Sequence, residues 1–150
     1  TPGQQTQVEY WASFAAYING RDTTIRPPKP YPSNWMGYGV GRTGAQMIAI
    51  FNKAEVCVYL ETENRDHPAW FHLLKQDRDA IEAELGFELT WDEKPDNKWS
   101  CIRVRREADA RDPDQWPELH AWMLEKLETM RRVFKVRVKA LDESQWTPPD

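Results

Sequence analysis

The sequence predicts an α+β domain with a five-stranded, mainly antiparallel sheet and three helices, in the order α-β-β-β-α-β-β-α and in two layers. Three observations carry this expectation. Apolar residues recur at three- and four-residue steps in three stretches, they alternate or run together in five short ones, and no strand-helix-strand alternation of the kind that builds parallel sheets occurs. The chain has 150 residues, the size of one domain, and such a domain buries about 68–70% of the surface its unfolded chain exposes. A core is therefore within reach without disulfides or metals, and the eight tryptophans supply large aromatic side chains to build it.

The first helix is expected over Gln4 to Asn19, where Val8, Trp11, Ala15 and Ile18 form one stripe, Tyr10, Phe14 and Tyr17 a second, and Gly20 a stop. Two stripes imply packing on two sides. The segment from Thr24 to Pro32 carries four prolines, which exclude a helix or a central strand and leave a stiff extended connector. Strands follow at Trp35 to Val40, Gln46 to Phe51 and Glu55 to Leu60, separated by turn-forming residues, as an antiparallel meander. Ile48 and Ile50 oppose Met47, Ala49 and Phe51, while Val56, Val58 and Leu60 oppose Cys57 and Tyr59. Both faces of the meander are thus apolar, more surface than three amphipathic helices are expected to hide.

A second helix is expected from His67 to Leu85, with Asp66 as N-cap, Pro68 in the first turn and Gly86 as stop. Glu88 to Trp91 and Lys98 to Arg106 read as a hairpin. The last helix begins near Asp114 and runs to about Leu141, with Leu119, Trp122, Met123, Leu127, Met130 and Phe134 at helical spacing.

Composition excludes several classes of function. A net charge of −4 and a pI near 5.4 give no global footprint for nucleic acid or an anionic membrane. The longest apolar runs fall well short of a membrane span. Cys57 and Cys101, the two cysteines, sit in apolar strand-like runs, which points to buried thiols and a cytoplasmic location rather than a disulfide framework. The chain begins at Thr1 without a methionine, so the expectation is a C-terminal module of a longer protein.

The candidate chemistries fall away one by one. Gly39-Val40-Gly41-Arg42-Thr43-Gly44 spells G-x-G-x-x-G, but a dinucleotide site needs a strand before it and a helix after it. Here strands flank it, so the glycines are expected to form a hairpin turn with Gly41 and Gly44 at positive φ and Arg42 at an exposed tip. A metal-dependent nuclease would place an acid and an acid-x-Lys on adjacent strands. Asp92-Glu93-Lys94 and Asp96-Asn97-Lys98 have that spacing but fall in the hairpin turn. His67, His72 and His120 make no i, i+4 pair, and no Cys-x-x-Cys is present. His120 reads as a satisfied helical histidine near Trp116 and Met123. No catalytic residue, metal site or cofactor is therefore expected.

Two binding surfaces remain. The first is a protein-docking face that includes Cys57, Tyr59, Met47 and Phe51. The second is a basic groove for a nucleic-acid backbone formed by Arg42, Arg103, Arg105, Arg131, Arg132 and Lys135, the last three within a run in the final helix that continues through Arg137 and Lys139. Cations at a helix C-terminus also complement the macrodipole, which explains the run without any ligand.

Glu9-Tyr10-Trp11, Val40-Gly41-Arg42-Thr43-Gly44, Ile81-Glu82-Ala83-Glu84-Leu85-Gly86 followed by Trp91, and Trp116-Pro117, taken in this order, resemble the uncharacterised bacterial domain-of-unknown-function family numbered 4268 over nearly the whole chain. The resemblance implies a C-terminal module often attached to a nuclease-like region, and it assigns no catalytic residues. The order of elements is also similar to that of type III secretion chaperones, which dimerise and bind peptide segments; that is an analogy of fold alone. A binding or accessory module that docks a protein partner, itself or a neighbouring domain is the expected function, with nucleic-acid binding and metal-dependent nuclease activity as alternatives.

Overall fold

The computed structural model describes residues 1–149. Its elements run α1 Pro2–Asn19, β1 Trp35–Gly39, β2 Ala45–Phe51, β3 Glu55–Glu63, α2 Ala69–Gln76, α3 Arg78–Leu85, β4 Thr90–Asp92, β5 Trp99–Glu107 and α4 Trp116–Lys139, with single 3-10 turns at Pro113–Gln115 and Glu143–Gln145. The fold class and the order of elements are as expected, with one helix divided in two. The five strands form an antiparallel sheet in the order β1-β2-β3-β5-β4.

The register follows from backbone hydrogen bonds at the strand ends. The Asn52 N–H donates to the Glu55 carbonyl at one end of the β2–β3 pair, and the Glu63 N–H donates to the Gly44 carbonyl at the other. For β3 and β5 the corresponding bonds are Ala108 to Ala54 and Asn64 to Lys98. Between β4 and β5, Thr90 pairs with Arg103 and Asp92 with Cys101. Because side chains alternate along a strand, this register decides which residues share a face.

The chain gathers into two compact units, one of residues 1–38, 48–58 and 105–128 and the other of residues 39–47, 59–104 and 129–149. The core of the first is aromatic. Tyr10 stands edge-on to Trp11 and Trp116 with ring centroids 5.0 and 5.4 Å away, and lies 4.4 Å from Phe51. Its hydroxyl donates to the sulfur of Met123 at 3.7 Å, and burial drives its pKa well above the ordinary phenol value. The indole N–H of Trp11 donates to the Ser33 carbonyl at 2.7 Å, which fastens the proline-rich connector to α1 while Ile25 is buried beneath it. Trp116 closes the loop before α4 through a 2.6 Å bond to the Ala110 carbonyl.

The core of the second unit is built on Trp70, Phe71, Leu74, Ile81, Ile102 and Phe134, all essentially inaccessible. Its turn at 40–44 confirms the hairpin reading of the glycine motif, since Gly41 and Gly44 have φ of 94° and 103°. At Gly44 space is limiting as well: an added Cβ would stand 2.6 Å from His67 Cδ2 and 2.9 Å from Trp70 Cζ3.

Three local expectations are corrected. The segment 67–85 is two helices, because the chain turns at Asp77 (φ −100°, ψ 18°) before resuming at Arg78. An aspartate at that point offers its backbone a non-helical alternative, and its carboxylate meets Arg137 at 3.4 Å. Asp66 does not cap the second helix; the cap residue is Pro68, and the Asp66 N–H instead donates to Glu63 Oε2 at 2.8 Å. Finally, β4 starts at Thr90 rather than Glu88, because the Leu89 N–H is taken by the Glu82 carboxylate at 2.7 Å. Burial alone would raise the pKa of Glu82, but the Leu89 N–H, the Trp91 indole and Arg78 together hold it below the usual carboxylate value.

Candidate functional site

In the first unit, β2 divides its side chains between two environments. Phe51 and Ala49 turn toward α1, as the Tyr10–Phe51 and Trp11–Phe51 ring contacts at 4.4 and 5.4 Å show. Ile48 and Ile50 turn the other way. The Phe51-to-Asn34 and Asn52-to-Glu55 backbone bonds set Trp35 of β1 and Cys57 of β3 on either side of Ile50. On this face Ile48 and Cys57 are buried and Ile50 is half-buried, while Trp35 keeps 42% of its surface exposed. A Glu55–Arg105 ion pair at 3.8 Å lies on the same side.

The four residues expected at a docking face therefore separate. Cys57 and Tyr59 lie two apart on β3 and point the same way, Cys57 buried and Tyr59 half-buried. Met47 and Phe51 point to the opposite side of β2 from Ile48 and Ile50 and are core residues, 0% and 5% exposed. The expected surplus of apolar surface is correspondingly smaller: the large apolar side chains left exposed among the described residues are Tyr31, Trp35 and Val136. Trp35 was missed because the alternation of its strand, Met36, Tyr38 and Val40 with glycines between them, marks the opposite face, so nothing along the strand singled out Trp35.

Four of the six residues expected to line a basic groove, Arg42, Arg103, Arg105 and Arg131, are engaged within the fold. Arg42 is not at an exposed tip; it is half-buried, donates to the carbonyls of Val138 and Leu141 at 2.9 Å each, and lies over the Trp70 ring at 4.5 Å. It thus adds a donor to the Val138 carbonyl, which also accepts from the Leu141 N–H at 3.2 Å, and to the Leu141 carbonyl just past the end of α4. Arg103 pairs with Asp92, Arg105 with Glu55, and Arg131 donates to the Gly39 carbonyl at 3.1 Å. The stem of Lys135 packs close to Gly41, Arg137 bridges Asp77 and Glu84, and Arg132 is exposed on α4.

Of the acid-x-Lys sequences, Asp92 is bound to Arg103 and lies 3.7 Å from Lys94, and Asp96 is exposed in the turn. Among the described residues no group of three or more His, Cys, Asp or Glu side chains is placed to hold a metal ion. Cys57 and Cys101 are separate buried thiols. His120 is enclosed by Tyr10, Phe14, Tyr17 and Trp116 with centroids 4.9 to 6.2 Å away. Its Nε2 has no hydrogen-bond partner among the described residues, which corrects the expectation of a satisfied histidine, and burial pushes its pKa down to about 4.

The remaining histidines receive a segment that sequence reasoning left unread. Beyond α4, Asp142 caps the 3-10 turn Glu143–Gln145 by accepting from the Ser144 N–H and hydroxyl at 3.0 and 2.7 Å. Glu143 then meets His67 Nδ1 at 2.8 Å and the Trp70 indole N–H at 2.7 Å, and Trp146 stacks on His72. An aspartate two residues before a serine was the available signal for such a capped turn.

By fold the chain is an α+β domain, an antiparallel sheet carrying helices. It belongs to the family described as Domain of unknown function (DUF4268), whose profile matches residues 6–138. No curated protein and no solved structure matches the chain. No helix among the described residues is long and apolar enough to cross a membrane.

Proposed function

We propose that the chain is a non-catalytic binding module that docks a protein surface, either a partner's or a neighbouring domain's, by apolar contact at Trp35 and Ile50. The observation that carries this reading is the exposure of Trp35, 42% of its surface, next to half-buried Ile50 on a sheet most of whose other apolar side chains are enclosed. A partly exposed tryptophan in such a setting supplies the kind of anchor that dominates binding energy at interfaces, and the Glu55–Arg105 pair supplies a polar rim. Phosphate-backbone binding is less well supported, because Arg42, Arg103, Arg105 and Arg131 already have partners.

Sedimentation over a wide concentration range, together with binding of an apolar fluorescent dye, tests for the sticky face in the isolated chain. Dye binding or weak self-association is expected, and a Trp35→Ser variant should lose it while keeping its circular dichroism. A wild-type chain that is monomeric and binds no dye contradicts the proposal.

A further inference from the structure

The end of the described chain makes contacts that have the form of a bound ligand. The 3-10 turn Glu143–Gln145, flanked by Asp142 and Trp146, places Glu143 against His67 and Trp70 and Trp146 against His72. Both meet the edge of α2. One oxygen of Glu143, Oε1, lies 2.8 Å from His67 Nδ1 and 2.7 Å from Trp70 Nε1. The His67 and Trp70 rings are themselves stacked, centroids 3.9 Å apart. A carboxylate only accepts, so His67 carries its proton on Nδ1 at this contact, and the His67 hydrogen bond holds the Glu143 carboxyl below its ordinary pKa. Three residues later, Trp146 lies flat on His72 with centroids 4.5 Å apart and planes within 5°. On its other side His72 Nε2 meets Glu93 at 3.1 Å. Trp146 also forms one wall of a cavity of about 210 Å3, with Phe71, Pro95 and Ser100 among the others.

We infer that His67, just before α2, together with Trp70 and His72 of α2 forms a recognition site for a peptide segment that presents a carboxylate three residues before an indole, and that residues 142–146 occupy it in cis. Two donors converging on one carboxylate oxygen and a flat ring surface at fixed distance from it read both features of the ligand. Charge-assisted bonds of this kind are roughly twice as strong as neutral ones, so a glutamine in place of the glutamate is a poor substitute. The receiving residues lie inside the stretch that the family profile matches, whereas 142–146 lie beyond it. A segment joined to its own site by a few residues is present there at an effective concentration on the order of millimolar. A free segment of the same chemistry therefore binds only after the tail leaves.

The test uses the full chain and a labelled peptide, Ala-Leu-Asp-Glu-Ser-Gln-Trp-Thr-Pro-Pro, the sequence of residues 140–149. By fluorescence anisotropy, a Glu143→Lys, Trp146→Ala variant should bind the peptide at least about tenfold more tightly than the wild-type chain, which its own tail blocks. A peptide with Gln for the glutamate and Ala for the tryptophan should not bind, and adding His67→Ala to the released variant should abolish binding. Equal affinity of wild type and released variant, or retained binding of the altered peptide, overturns the inference. Should the released variant fail to fold, hydrogen exchange on the wild-type chain decides. An excess of the peptide should then speed exchange of the Gln145 and Trp146 amides, which donate to the Asp142 and Glu143 carbonyls, and unchanged exchange overturns it.

Discussion

The guanidinium of Arg42 lies 4.5 Å from the centre of the Trp70 ring and at the same time holds the Val138 and Leu141 carbonyls. One side chain from a hairpin turn thus caps a helix and covers a core aromatic. Replacing it with Ala takes the side-chain donor from the Leu141 carbonyl, leaves the Val138 carbonyl with the Leu141 N–H at 3.2 Å, and removes the cation from the ring; each lost charged hydrogen bond costs about 1.5–3 kcal/mol. Urea denaturation should show Arg42→Ala destabilised by about 2–4 kcal/mol. Arg42→Lys should recover only part of this, since an ammonium cannot spread over a ring and reach two carbonyls as a planar fork does.

Gly44→Ala should be among the more damaging single-methyl changes in the chain. The position combines φ of 103° with a Cβ path blocked by His67 and Trp70, and strain and overpacking each cost about 1–3 kcal/mol. Gly3, inside α1 with nothing within 4 Å of an added Cβ, is the control. Gly3→Ala should be neutral or slightly stabilising, by about 0.5 kcal/mol. Thermal melts of the two variants should move in opposite directions, or the Gly3 variant not at all.

His120 makes stability depend on pH in a defined window. Folded, its pKa is pushed down to about 4 from an ordinary 6.5. Above 6.5 it is neutral in both states and contributes no slope. Between 6.5 and 4 the unfolded chain binds a proton that the folded chain refuses, so stability falls with falling pH, by about 1.4 kcal/mol per unit and on the order of 3 kcal/mol in all. A His120→Leu variant should be more stable than wild type at pH 5 by a larger margin than at pH 7.5. The difference between the two proteins is the quantity to measure, because Glu61, whose pKa burial raises, contributes a slope of opposite sign. A margin independent of pH would contradict the assignment.

The sequence made the elements legible wherever period and punctuation agreed. The apolar stripes of α1 and α4, the alternation along β2 and β3, and the turn glycines at 41 and 44 all signalled their structures locally. What it could not reveal were features set by distant partners. The break at Asp77 interrupts an apolar spacing from Trp70 to Leu85 that reads as continuous, and Asp66 lost its expected capping place to Pro68. The arginines 42, 103, 105 and 131 looked like a groove because their partners, Val138, Asp92, Glu55 and Gly39, lie 11 to 96 residues away in the chain or across a strand pair. The face proposed for docking was half legible: Cys57 and Tyr59 share a side of β3, but the pairing of Ile50 with Trp35 depends on a register that no single strand encodes.

Site-specific photo-crosslinking from position 35 tests the docking reading most directly. A photoreactive phenylalanine analogue in place of Trp35, irradiated in cells, should join the chain to a discrete protein product that the same analogue at Val136, 70% exposed on α4, does not give. If position 35 yields no product, or only the products seen from position 136, the surface at Trp35 and Ile50 is not a docking site.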